Sequence, residues 1–112
     1  MIEVQIKKST KPEKKLMAIF YEDKNKDGKH KKTKTIHFGS APNKDYTIYY
    51  KEDGKKKANE RKSLYYARHI KREDWTKPMT AGTLSKYILW NKPTVKASIA
   101  DYVKQFNLKL VK

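Results

Sequence analysis

The side chains best placed to do chemistry in this sequence are the cations between residues 55 and 75. On a helical wheel of about 3.6 residues per turn, residues 57–72 separate into a polar half and an apolar half. The polar half carries Lys57, Arg61, Lys62, Tyr65, Arg68, His69 and Arg72. The apolar half carries Ser63, Leu64, Tyr66, Ala67 and Ile70. This pattern predicts a helix that is anchored by leucine and isoleucine and that turns its cations toward a polyanion.

A second group of cations follows a turn signal at Asp27-Gly28. Aspartate before glycine favours a tight turn between antiparallel strands, so the flanking segments 16–22 and 33–38 are predicted to form a hairpin. Lysines near the tip of this hairpin would provide a second contact to phosphates. They are Lys29, Lys31, Lys32 and Lys34.

The same loop imitates a calcium site. Asp23, Asn25, Asp27 and Gly28 occupy the first ligand positions and the glycine position of an EF-hand loop. Such a loop ends in a bidentate glutamate, and Lys34 stands at that position. We therefore expect no calcium binding.

The residue types that enzymes use are poorly arranged for catalysis. His30, His37 and His69 show neither HxH nor HExxH spacing, and the chain has no cysteine. The acidic pairs at 52–53 and 73–74 stand beside cations, which disfavours the magnesium site of a nuclease. We expect no enzymatic activity, no metal and no cofactor.

The charge of the whole chain indicates the class of partner. Lys and Arg number 28 and Asp and Glu number 12, which gives a net charge of +16 with neutral histidines. The surplus is spread along the chain, and self-repulsion of this size disfavours a compact monomer without a counter-charged partner. Nucleic acid is the first candidate, because neutralised phosphates release counterions. The alternative is a soluble protein with a lysine-rich surface.

Three features that the sequence lacks bear on the cellular location of the protein. The absence of cysteine excludes a disulfide framework and fits a reducing compartment. Residues 1–8 alternate apolar and polar side chains, unlike a signal peptide. No apolar run approaches membrane-spanning length. We expect no membrane contact and no secretion.

The elements that must position these cations form a single domain over residues 1–112. Alternation at Ile2, Val4 and Ile6 predicts a first strand, followed by strands at 16–22 and 33–38. Residues 45–50 have strand composition, with a short helical turn as the alternative. Helices are predicted at 55–73, 80–90 and 94–106, with Thr80 and Thr94 as caps, and an edge strand at 108–110. The fold class is α+β: an antiparallel sheet of three or four strands, mostly within residues 1–50, against which the three helices of residues 55–106 pack.

Two other modes of nucleic-acid binding are weaker. Helices 80–90 and 94–106 resemble a helix-turn-helix, but the outward side of the second offers no arginine, asparagine or glutamine to base edges. Its outward residues are Lys96, Ala97, Ser98, Ala100, Asp101 and Lys104. A helical hairpin that serves as core is favoured. Exposed tyrosines could stack on bases, and the candidates are Tyr49, Tyr50, Tyr65 and Tyr66. Most of them are expected to be core or interface residues, with Tyr65 as the exception because the wheel places it among arginines.

Residues 35–106 resemble a known family. The motifs are HFG at 37–39, DYT at 45–47, YxARHxxRExW at 65–75 and PxTAGxLSxYILWNKPTxxASIxDYxxxF at 78–106. They resemble a family of small basic proteins of the giant nucleocytoplasmic large DNA viruses, in its marseillevirus-like version. The resemblance implies a viral protein of the host cell cytoplasm or nucleus that associates with the viral genome and the virion. It carries over no catalytic residue.

Together these patterns predict a protein that binds double-stranded DNA through phosphates, largely without reading sequence. The alternative is a structural virion protein that binds acidic protein surfaces or assembles with itself, with DNA binding incidental. A homodimer would double the basic surface.

Overall fold

The computed structural model describes residues 2–24 and 30–111, and the side chains of residues 2–21 and 32–111. The predicted Asp27-Gly28 turn and the calcium-like ligand set lie outside these described residues. The side chains of Lys29 and Lys31 lie outside them as well.

The sheet has four strands: β1 (Glu3–Lys8), β2 (Lys14–Lys24), β3 (His30–Ser40) and β4 (Lys109–Leu110). Their order is β3-β2-β1-β4, with antiparallel pairs except for β4, which runs parallel to β1. The predicted strands, the pairing of β2 with β3 and the short edge strand near the C-terminus are confirmed. The α+β class is confirmed with them, although β4 makes the sheet mixed.

The core lies between one face of the sheet and the C-terminal helices. Alternate residues of the strands face it, since side chains alternate between the two faces of a sheet. The fully buried members are Val4, Ala18, Phe20, Phe38, Leu84, Ile88, Leu89 and Tyr102. Each large apolar side chain in such a core contributes about 1.5–3 kcal/mol. The Tyr102 hydroxyl donates a hydrogen bond to the Pro78 carbonyl at 2.7 Å, so its burial leaves no unpaired hydroxyl.

At residues 45–50 the predicted strand is wrong and the helical alternative is confirmed, because this segment forms helix α1 (Tyr46–Asp53). Asp45 caps it: its carboxylate accepts a hydrogen bond from the Ile48 amide at 3.2 Å. This cap and the packing of α1 on the next helix outweigh the strand propensity of Thr, Ile and Tyr. Gly54 then adopts a φ of 88°, which favours glycine, and lets the chain turn directly into the next helix.

The remaining helices are α2 (Lys55–His69), α3 (Ala81–Leu84) and α4 (Val95–Gln105). Helix α3 continues as a π-helical segment, Ser85–Leu89, in which the Trp90 amide reaches back to the Ser85 carbonyl. Thr80 and Thr94 cap their helices as predicted, through hydrogen bonds to Thr83 and Ala97. Helix α2 ends four residues earlier than predicted, so Arg72 lies beyond it.

Two of the three predicted helices supply the core layer. The segment formed by α3 and the π helix, together with α4, packs on the sheet through Leu84, Ile88 and Tyr102. Helix α2 packs on α1 and contributes no residue to the core cluster. Within the described residues, no helix is both long and apolar enough to cross a membrane.

Candidate nucleic-acid interface

The side of helix α2 that packs against the rest of the protein is not the side that the sequence predicted. Tyr65 is only 8% exposed and Ala58 is fully buried, whereas Leu64 is 61% and Ile70 59% exposed. The prediction that leucine and isoleucine anchor this helix is therefore wrong. The physical reason is that α2 packs against an aromatic surface. A tyrosine ring buries more area against such a surface than a leucine or isoleucine side chain does.

The anchor of α2 is a column of three rings. The ring of Tyr65 lies 4.4 Å from that of Trp90, nearly parallel to it, and 4.2 Å from the imidazole of His69. Both faces of the Tyr65 ring are therefore occupied, and burial raises the pKa of its hydroxyl to about 12. The prediction that Tyr65 stands exposed among arginines, free to stack on a base, is wrong.

Lys62 is also turned inward. Its ammonium donates a hydrogen bond to the Asn91 carbonyl at 2.9 Å and lies 4.9 Å above the ring of Tyr46 and 5.7 Å above that of Tyr66. Burial lowers the pKa of this lysine. Lys62 thus connects α2 to α1 and to the chain after Trp90. This position differs from the phosphate contact that the sequence predicted for it.

A second lysine with the same behaviour, Lys86, escaped the sequence analysis. Its ammonium lies 4.0 Å from the ring centre of Tyr87 and 5.2 Å from those of Tyr66 and Trp75. Burial lowers its pKa. Cations held over aromatic rings in this way stabilise the packing of a helix.

His69 belongs to a latch at the end of α2. Its Nδ1 lies 3.2 Å from Glu73 Oε1, and Glu73 Oε2 accepts a hydrogen bond from Trp75 Nε1 at 2.7 Å. The Glu73 carboxylate lies against Gly82, where a Cβ would come within 2.8 Å of it. A larger residue at position 82 would therefore make the Glu73 carboxylate shift away from its partners His69 and Trp75.

A cleft lies between α2 and the strand ends, and we call it the basic cleft. It encloses about 570 Å³. Its helix wall includes Arg61, Arg68 and His69, and its opposite wall includes the start of β2 and the loop after β3. The charged groups that line it are Lys14, Lys15, Lys44, Arg61, Arg68, Asp45 and Glu73. Five cations therefore surround two carboxylates.

The cations of the basic cleft differ in their partners. Lys15 pairs with Asp45 and Lys44 with Glu52, each at 2.7 Å. The guanidinium of Arg61 lies 5.3 Å above the ring of Tyr49. In the described part of the chain, neither Arg61 nor Arg68 donates a hydrogen bond or forms an ion pair with its side chain. Two exposed guanidinium groups thus keep their donors free at one cleft.

The remaining predicted contacts lie elsewhere. Lys57 and Arg72 are exposed and do not line the basic cleft. Lys32 is exposed on β3, and the Lys34 ammonium donates to the Met79 carbonyl at 3.2 Å. In the sheet register these two lysines stand opposite Tyr21 and Phe20, six to seven residues along β2 from Lys14. That spacing separates the hairpin lysines from the cleft by roughly 20 Å.

Helix α4 packs in the core, as the sequence analysis expected when it favoured a helical hairpin over a helix-turn-helix. Ser98, expected to face outward, is fully buried, and its hydroxyl accepts a hydrogen bond from the Lys92 amide at 2.9 Å. Asp101 is held by the side chain of Asn91 at 2.7 Å, which lowers the pKa of its carboxyl. Lys96 and Lys104 remain exposed.

Sequence reasoning missed the strand wall of the basic cleft. Lys14, Lys15 and Lys44 carry no motif, and the only local signal was Asp45, whose capping potential identifies the start of α1. Gly39, of the HFG motif, also lines the cleft; a Cβ there would lie 2.5 Å from Leu89.

No group of three or more His, Cys, Asp or Glu that could hold a metal occurs among residues 2–24 and 30–111. Comparison with known proteins found no matching family model, no matching characterised protein and no matching solved structure.

Proposed function

We propose that this protein binds double-stranded DNA through phosphate contacts, largely without reading sequence. The observation that carries the proposal is a pair of guanidinium groups, Arg61 and Arg68, on one wall of a cleft lined by five cations; neither group is paired with another side chain among the described residues. Free guanidinium donors match phosphate oxygens in geometry as well as charge. The net charge of +16 adds a long-range attraction to any polyanion.

The phosphate contacts proposed on α2 and just after it are Lys57, Arg61, Arg68 and Arg72. Lys32 and Lys34 belong to a separate contact on the hairpin. Lys62, Tyr65 and His69 support the helix from inside. On α4, the exposed Lys96 and Lys104 are point charges without the planar donor and acceptor pair that reads a base edge, which favours binding without sequence preference.

The resemblance of residues 35–106 supports a viral setting. We propose that the protein acts in the cytoplasm or nucleus of an infected cell and is packaged with the genome in the virion. Binding without sequence preference suits such a role, since the whole genome then serves as ligand.

A mobility-shift titration across salt tests the proposal. The variant Arg61→Gln, Arg68→Gln, Arg72→Gln should bind every duplex more weakly, with a salt slope reduced by about 2–3, because each lost phosphate contact removes about 0.9 from the slope. The matched control is Lys96→Gln, Lys104→Gln, Lys109→Gln, which removes the same charge from exposed lysines outside the basic cleft. Unchanged affinity of the arginine variant, or an equal loss in the control, would contradict the assignment.

The second candidate function is a structural virion component that binds acidic protein surfaces or itself, with DNA binding incidental. The observation that favours it is the exposure of two large apolar side chains, Leu64 on α2 and Ile70 at its C-terminal end. Exposed apolar side chains are more typical of a protein contact than of a phosphate contact. Equal affinity for duplex DNA and for polyglutamate, without saturation at a defined length of duplex, would support this candidate.

A further inference from the structure

The basic cleft is too small for the duplex that the surface is proposed to bind. Its volume of about 570 Å³ falls within the range of roughly 300–1,000 Å³ typical of sites for single small ligands. A duplex carries its phosphates along the rims of grooves about 6–12 Å wide and would rest on the outer surface. The interior of the cleft therefore suits one nucleotide unit.

The distribution of charge favours a phosphate that is reached from several sides. Arg61 and Arg68 stand on the helix wall, seven residues and hence about 10 Å apart along the axis. Lys14 and Lys44 stand on the opposite wall. A diester inside a strand carries one charge, whereas a terminal phosphate monoester carries about −1.5 to −2 and three acceptor oxygens. A cleft with cations on both walls gains more from the monoester.

Carboxylates pair with two of the cleft's lysines, Lys15 and Lys44, and with neither of its arginines among the described residues. Asp45 accepts from Lys15, and from the Ile48 amide as the cap of α1. Glu73 accepts from the indole of Trp75 and contacts His69. Neither carboxylate pairs with an arginine in the described part of the chain.

Recognition in this cleft rests on the phosphate and not on base stacking. The Tyr65 ring is covered by Trp90 and His69 on its two faces. The Tyr49 ring has the Arg61 guanidinium above it. The Tyr49 ring thus holds the Arg61 guanidinium in position, which lowers the entropy lost when a phosphate binds.

We propose that the basic cleft binds the terminal phosphate monoester of a nucleotide, and that in nucleic acid this ligand is the phosphorylated end of a strand. The inference deepens the proposed function and rests on it for the source of the ligand. A free nucleoside monophosphate shares the same chemistry. Arg61 and Arg68 bind the phosphate from the helix wall, and Lys14 binds it from the strand wall.

The test compares three DNA probes of one sequence: a closed circle, a linear duplex with 5′-phosphates and the same duplex with 5′-hydroxyls. The full-length protein should bind the phosphorylated ends about tenfold more tightly than the hydroxyl ends, since charged hydrogen bonds are strong. The ratio of these two affinities is the readout, because loss of general charge weakens both probes alike.

The variant Arg61→Gln, Arg68→Gln should bring this ratio close to one. The matched control Lys96→Gln, Lys104→Gln should keep it. Thermal melting checks that each variant is folded. The variant Arg61→Lys, Arg68→Lys keeps the charge but loses the planar fork, so it should recover only part of the ratio.

The outcomes separate the two proposals. A ratio near one for the wild-type protein, with salt-dependent binding of the closed circle, overturns the cleft site and leaves duplex binding intact. A high ratio without any binding of the circle overturns duplex binding and retains the cleft site. Titration with a nucleoside 5′-monophosphate identifies the source: affinity equal to that of the strand end assigns the cleft to free nucleotides, and much weaker binding assigns it to strand ends.

Discussion

Arg61 and Lys62 are consecutive cations of one helix with opposite environments. Arg61 faces the basic cleft above the ring of Tyr49, and its guanidinium donates no hydrogen bond to any residue that the structure describes. Lys62 is turned between the rings of Tyr46 and Tyr66 and donates to the Asn91 carbonyl. The first is free to bind an anion and the second stabilises the fold. A cation on a helical wheel therefore does not identify a ligand contact until the neighbouring rings are known.

The largest effect expected from this comparison concerns the anchor of α2. Tyr65→Ala should reduce the free energy of unfolding by about 3 kcal/mol, because it removes the ring between Trp90 and His69. Leu64→Ala should change it by less than about 0.5 kcal/mol, because Leu64 is exposed. Urea denaturation measures both. A loss from Leu64→Ala as large as that from Tyr65→Ala would show that the helix is anchored by leucine after all.

The next effect separates the two cations. Lys62→Ala should cost about 1–2 kcal/mol of stability, the sum of a buried cation–π contact and a hydrogen bond. Arg61→Ala should cost less than about 0.5 kcal/mol but lower the salt slope of duplex binding by about 1. Melting curves and salt titrations of the same two variants give both measurements. If Lys62→Ala lowered the slope instead, with stability unchanged, the comparison would be reversed.

The smallest effect is a dependence on alkaline pH. Burial raises the pKa of Tyr65 to about 12, from the model-compound value of 10.0, so the folded state retains a proton that the unfolded state loses. The stability from this group is complete below pH 10 and decreases as the pH rises from 10 toward 12.

The measurement compares the wild type with Tyr65→Phe, which keeps the ring. Changes in overall charge are common to both proteins, so the difference between their melting temperatures isolates the hydroxyl. That difference should shift in favour of Tyr65→Phe as the pH rises from about 9 to 11. A constant difference would mean that the hydroxyl is hydrated in the folded state.

The α+β class and the core followed from local patterns. Alternation of period two at Ile2, Val4 and Ile6 predicted the first strand, in which Val4 is fully buried. Thr80 and Thr94 predicted where two helices begin, because a cap acts within its own three residues. These features depend on neighbours in sequence, so the sequence contains the information that determines them.

The orientation of α2 did not follow from such patterns. A wheel ranks side chains by polarity, and it placed Tyr65 with the cations and Leu64 with the core. Tyrosine and lysine are amphipathic, and their apolar parts can be buried when a suitable partner is present. That partner, Trp90, stands 25 residues beyond Tyr65, where no helical periodicity could reveal it.

By itself the sequence determined a basic chain of the α+β class, because charge and strand alternation are properties of composition and local order. Only the tertiary structure decided which cations are free. The basic cleft joins Lys14 to Arg61 and Arg68 across half the chain, and the ammonium groups of Lys62 and Lys86 lie over aromatic rings. Such contacts join residues that are distant in the sequence. Local patterns therefore reveal neither the contacts nor the burial that they cause.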